Sequence, residues 1–177
     1  MWRRTIRWLA LISGVGFLNF SASAFDAWAP FGFSWGPVEK VPTPSLATRH
    51  DNITLLIYRR DRLPSNELSG TEEIVLQVCQ NEGLQQIIWI SQLLSTSEEH
   101  TMLEAISAEA TGRYGEPEAG ERGLIRWNGG QTVLAAVSTD QGLHRIFMAS
   151  NGPRLDKCSE EHGHPVSDHW MQFLPNQ

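Results

Sequence analysis

Near the C-terminus the run Cys158-Ser-Glu-Glu-His162-Gly-His164-Pro-Val-Ser-Asp168-His169 gathers three imidazoles, an aspartate and a thiol in one short stretch. Imidazole and carboxylate are good ligands for zinc, copper or nickel, and a His-x-His pair lets two ring nitrogens reach one ion. His162, His164, Asp168 and His169 are therefore the candidate metal ligands of this chain. A catalytic metal also needs neighbouring groups that orient each imidazole, and the end of a chain supplies few of them. The competing reading of residues 156–177 is a polar, histidine-containing tail.

The run is similar to the His-x-His-x-Asp-His zinc motif of the metallo-β-lactamases, with two extra residues between His164 and Asp168. Among other catalytic signatures, the sequence contains no His-Glu-x-x-His, no P-loop and no Gly-x-Gly-x-x-Gly after a strand. No catalytic residue and no cofactor are expected. His50 and Asp51 are neighbours on what reads as extended chain, so their side chains point to opposite sides. His144 reads as a packed or surface strand residue, and Glu72-Glu73 and Glu98-Glu99 as solvated pairs.

Two further groups of residues invite a role. Cys79 and Cys158 are the only cysteines, and in an oxidising compartment an even pair is most simply one disulfide. A buried free thiol at Cys79 and a metal or redox role at Cys158 are the competing readings. Without a Cys-x-x-Cys, thiol–disulfide catalysis is not expected. The second group is aromatic. Phe25–Gly36 carries Trp28, Phe31, Phe33 and Trp35, the last three alternating with Gly32, Ser34 and Gly36. That period of two suits an extended segment with one apolar side. It can serve as a binding platform for a sugar, lipid or peptide, or as a cover that pins the N-terminus to the core.

The first residues read as a processing signal. Arg3, Arg4 and Arg7 precede an apolar run, Leu9–Phe20, and then the small residues of Ser21–Ala24. The run is too short to span a bilayer comfortably, and the pattern predicts a Sec signal peptide cleaved after Ala24. The protein is then periplasmic or secreted, with no membrane span after cleavage. Removing residues 1–24 from the 177-residue chain leaves 153, enough for one domain with its own core. The segment takes three arginines and no acid with it, moving the formal charge from −6 to −9. An acidic chain with no basic run argues against nucleic acid and anionic lipid as partners.

The elements that must position these residues come from a recurring pattern. Ile74–Ser91 reads as two apolar strands joined at Gln80–Gly83. Laid without gaps over Val133–Ser150, at an offset of 59 residues, it matches at Val78/Val137, Gly83/Gly142, Leu84/Leu143, Ile87/Ile146 and Ser91/Ser150. Two copies of one hairpin predict an antiparallel sheet. Ile53–Tyr58 and Leu124–Trp127 supply further strands, with Gly129-Gly130 as a turn and Val38–Ser45 as a proline-containing loop. Ser95–Tyr114 is the main helix. Ser95 and Glu98 form a capping box, Met102, Leu103, Ile106 and Ala110 recur at helical spacing, and Gly115 and Pro117 end it. The expected fold class is α+β, a single domain over 25–155 with an antiparallel sheet of two repeated hairpins and one helix on one face.

In this arrangement the chain resembles small exported bacterial proteins built from duplicated β units with helices on one face, the β-lactamase inhibitor protein and the outer-membrane small protein A group. The resemblance rests on Phe31-Gly32-Phe33-Ser34-Trp35-Gly36, the paired hairpins and the helix closing on Arg113-Tyr114-Gly115-Glu116-Pro117, over residues 31–150. The helix such proteins carry after the first glycine is not expected here, because Pro37, Pro42 and Pro44 oppose it. The resemblance implies protein binding rather than catalysis, and a protein or envelope component is the expected partner.

Overall fold

β-Branched and aromatic residues crowd the middle of the chain, and where they do the backbone is extended. A computed structural model describes residues 29–64, 70–120 and 123–160. The predicted signal segment, Trp28, and the candidate ligands His162, His164, Asp168 and His169 lie outside the described residues. The strands are β1 (Leu46–His50), β2 (Ile53–Arg59), β3 (Thr71–Cys79), β4 (Gly83–Ser91), β5 (Glu118–Ala119), β6 (Ile125–Trp127), β7 (Thr132–Ser138) and β8 (His144–Asn151). The helices are α1 (Thr96–Tyr114) and α2 (Leu155–Glu160), with 3-10 turns at Pro30–Gly32, Arg60–Arg62 and Asn128–Gly130. Among the described residues the strands form one antiparallel sheet in the order β1-β2-β3-β4-β8-β7-β6-β5. The fold is α+β, with one main helix. No helix among the described residues is long and apolar enough to cross a membrane.

Helix α1 starts where its capping box places it. The Ser95 side chain accepts from the Glu98 backbone N–H, and Glu98 accepts from the Ser95 backbone N–H at 2.8 Å. These bonds satisfy donors that the first helical turn leaves open. Gly115, at φ 88°, ends the helix with its N–H on the Thr111 carbonyl. The predicted stripe faces the sheet, with Ala110 buried and Met102, Leu103, Ile106 and Tyr114 packed on the core. Trp127 of β6 donates its indole N–H to Thr111 at 3.3 Å, tying that strand to the helix.

Both predicted hairpins are present, as β3–β4 and β7–β8, and their second strands lie side by side. Trp89 of β4 pairs with Met148 of β8, residues separated by the same offset of 59 that aligned the two sequences. Ile87 and Ile146 correspondingly share one core, and Ile88 and Phe147 share the other. In the first strands the correspondence slips. Ile74 pairs with Trp89, whereas Val133 pairs with Ala149 rather than with Met148. A slip of one residue exchanges faces. Val75 accordingly lies in one core and its aligned counterpart Leu134 in the other.

Strand β1 was not expected. Leu46–His50 carries no alternating pattern and all five residues are exposed. It is a strand because the turn at Asp51-Asn52 folds it back on β2, with His50 opposite Ile53. Asp51 adopts φ 52°, so it is not extended, and its Oδ2 lies 3.0 Å from His50 Nδ1. This corrects the expectation that the two side chains diverge, because the turn rotates one toward the other. The segment 156–160, read as tail, is the rest of α2.

The sheet separates two apolar layers. On the helix side, Tyr58, Ile74, Leu76, Ile87, Trp89, Leu134, Ile146 and Met148 are buried with Ala110 of α1. On the other side, Val75, Ile88, Ile90, Val137, Phe147 and Ala149 form a second buried cluster, joined by Leu55 and Ile57.

Candidate functional site

Titratable side chains converge at one place that the sequence did not single out. His144, the first residue of β8, sits beside the first turn of α1 because Leu94 pairs with it through two backbone hydrogen bonds of 2.8 and 2.9 Å. There His144 Nδ1 lies 2.9 Å from Glu99 Oε2 and 3.3 Å from Ser138 Oγ, and its Nε2 lies 3.2 Å from Thr96 Oγ1. The His144 and Glu99 side chains are only 18% and 16% exposed. Glu99 is therefore not the solvated carboxylate its sequence neighbours suggest, since strand pairing brings a distant imidazole to it. The only signals in the sequence were its place in the first helical turn and the position of His144 at a strand start.

Hydroxyl, imidazole and carboxylate in series are the parts of a nucleophilic relay. Such a relay also needs donors for a developing oxyanion beside the hydroxyl. At this helix start the Glu98 N–H is already bonded to Ser95 Oγ and the Glu99 N–H to the Ser95 carbonyl at 2.9 Å. A cleft between α1 and the N-terminal segment, lined by Pro30, Phe31, Ile106, Tyr114, Thr132 and Met148 among others, does not reach Thr96 or His144. Its volume of about 50 Å³ is far below the several hundred that enclose a small-molecule ligand. What the cluster does in this structure is join the start of α1 to the start of β8.

The aromatic segment lies over the helix-side core. Phe31, Phe33 and Trp35 are partly buried and packed against it, while Gly32 and Ser34 are exposed. Phe31 adopts φ 61°, ψ 30° and sets its ring 5.8 Å from that of Trp89. Gly36 then pairs with Leu84, which closes the segment onto β4. The disulfide Cys79–Cys158 is formed, with its Cα atoms 5.9 Å apart. Among the described residues no group of three or more His, Cys, Asp or Glu side chains is placed to hold a metal ion.

The far side of the sheet is unusual in its chemistry. Val75, Ile88, Ile90, Val137, Phe147 and Ala149 are 1–9% exposed, yet among the described residues only strand side chains contribute to that cluster. Ala135 and Ala149 leave a dimple of about 10 Å³ beside Ile88 and Phe147. At its lower end Gln77 and Gln86 face each other across β3 and β4 and are 3% and 1% exposed. Gln86 donates to Asn151 Oδ1 at 2.8 Å, but Gln77 Nε2 and Gln86 Oε1 are buried without a hydrogen-bond partner. Each such group costs about 1–3 kcal/mol if nothing answers it. The face is thus apolar, with one donor and one acceptor left open at its margin.

No family model matches this chain, and comparisons with curated proteins and with solved structures find nothing similar.

Proposed function

We propose that this is an exported, non-enzymatic protein that binds a protein or envelope component through the face of the sheet opposite α1. One observation carries the reading. Five adjacent strands, β2, β3, β4, β8 and β7, place an unbroken apolar layer on that side, to which no described helix contributes. Its side chains are 1–9% exposed, so it is not an open patch, but an apolar sheet face must pack on another layer and no described helix supplies one. The disulfide suits an oxidising compartment and so supports export. The closed hydrogen bonding around Thr96 supports a role other than catalysis. In the same reading the two hairpins descend from one copied unit, supported by the offset that β4 and β8 share.

Site-specific photo-cross-linking tests this. A photoreactive phenylalanine analogue at Leu55 or Ile57, at the margin of the face, is expected to trap a discrete envelope protein, and the same group at Glu104 on exposed α1 is not. Equal trapping from all three positions, or none from Leu55 and Ile57, would sink the reading.

A further inference from the structure

The two edges of the sheet differ. β5, at one end, is two residues long, too short to template another strand. β1, at the other end, has five residues, all exposed, and among the described residues nothing pairs with its outer side. Charged side chains and prolines commonly guard such an edge. Leu46–His50 contains no proline, and Arg49 is its only permanent charge. The Arg49 guanidinium is folded back along its own sheet, donating to the Asp51 carbonyl at 3.2 Å and to Gln80 Oε1 at 3.1 Å.

The turn decides which backbone groups of β1 are open. His50 and Ile53 close a two-residue connection at Asp51-Asn52, so they exchange both of their backbone hydrogen bonds, and bonded pairs recur at every second residue. Thr48/Leu55 and Leu46/Ile57 are then bonded pairs as well. The peptide N–H and C=O groups of Ala47 and Arg49 therefore point away from β2. Upstream this pattern stops, because the Ser45 N–H turns in to the Ile57 carbonyl at 2.8 Å.

The open groups are self-complementary. An antiparallel second copy of β1, set with Thr48 opposite Thr48, brings Ala47 of each chain opposite Arg49 of the other, and every open donor and acceptor is answered. Other two-fold registers fail. Centring on Arg49 sets like charges face to face, and centring on Ala47 leaves Arg49 opposite Ser45, whose N–H is engaged. A two-fold placed between residues sets each open group against one already bonded to β2. In the remaining register two threonines make a favourable cross-strand pair, and His50 faces Leu46, which is 50% exposed.

We propose that β1 is a homodimer edge, at which two copies of this chain join antiparallel through Leu46–His50 about a two-fold axis at Thr48. The contact uses the rim of the sheet and not its face, so it is independent of the docking reading above. Leu46 and Thr48 pair with Ile57 and Leu55, which pack on the strand-only cluster. That side of the two sheets is consequently continuous across the axis.

Amide hydrogen exchange on the purified, disulfide-bonded protein tests this, with sedimentation velocity alongside. Raising the concentration is expected to convert monomer to dimer and to slow exchange of the Ala47 and Arg49 amides about tenfold or more. A47P removes an outward donor without touching a bond to β2, a change that edge strands tolerate. It should move dimerisation to about tenfold higher concentration or beyond, with circular dichroism and the Cys79–Cys158 bridge unchanged. A protein that stays monomeric up to about 1 mM overturns the proposal. So does a dimer in which the Ala47 and Arg49 amides still exchange fast, or an A47P dimer as tight as that of the unsubstituted protein, since either places the contact elsewhere. Protection that appears only on adding envelope extract would assign the edge to a different strand and overturn it as well. Because exchange is read on the unsubstituted protein, misfolding of A47P does not obscure the outcome.

Discussion

Glu99 in the first turn of α1 holds His144 at the start of β8, with 2.9 Å between carboxylate and imidazole and both side chains mostly shielded from water. The pair joins elements between which the chain runs through β5, β6 and β7. With the capping box just before it, it fixes where the helix begins and how it seats on the sheet. E99Q and H144Q are each expected to lower stability by about 1 kcal/mol, with a coupling of about 0.5–1 kcal/mol in a double-mutant cycle. T96A should cost less, since Thr96 is exposed. Urea denaturation of the variants measures this, and strictly additive losses would show that Glu99 and His144 do not act together.

Gly83 and Gly142 occupy aligned positions and nearly the same left-handed backbone, at φ 72° and 71°. Their surroundings differ. A methyl group on Gly83 would overlap the Gly36 carbonyl and press on Pro37 N, whereas one on Gly142 meets nothing within 4 Å. G142A should cost about 1 kcal/mol, the conformational penalty alone. G83A should cost at least about 2 kcal/mol more, because the obstruction is backbone that cannot rotate away. Equal denaturation midpoints for the two variants would contradict the close approach of the N-terminal segment to β4.

Tyr58 is fully buried and donates its hydroxyl to the Pro42 carbonyl at 2.9 Å. Burial raises its pKa above the ordinary tyrosine value. The folded protein therefore holds this proton more tightly than the unfolded chain does. The resulting stability is fully present below about pH 10 and is lost as pH rises beyond it. Y58F should lose about 1 kcal/mol at neutral pH with the hydrogen bond, and its melting temperature should fall less steeply above about pH 10 than that of the unsubstituted protein. Parallel alkaline limbs would place the titration elsewhere.

The disulfide joins residues 79 positions apart in sequence. Closing so long a loop removes conformational freedom mainly from the unfolded chain and is worth about 4 kcal/mol in the chain-entropy account. The C79S/C158S double variant should therefore fold with a much lower denaturant midpoint. A midpoint shift worth less than about 1 kcal/mol would argue that the bridge does not constrain the unfolded ensemble.

Some features were legible before any coordinates because their causes are local. Ser95, Glu98 and Gly115 sit within a turn of the helix ends they determine, and the β-branched runs of Ile53–Tyr58 and Ile74–Val78 favour extended backbone wherever they are placed. The cysteine pairing followed from there being two. Strand β1 was hidden for the opposite reason. Leu46–His50 has no pattern of its own, and only its turn and its pairing with β2 make it a strand.

What the sequence alone determined about this protein is its elements: the bounds of α1, most of the strands, the two hairpins and the sulfur bridge. Tertiary structure decided their neighbours. It set β4 beside β8, slipped the first strands of the hairpins by one register, brought Glu99 to His144 and left one sheet face without a described helix. Capping and intrinsic propensity act over a few residues, so they can be read along the chain. Which strands lie together, and which face each side chain takes, is settled by burying both apolar layers at once, and that depends on the whole chain.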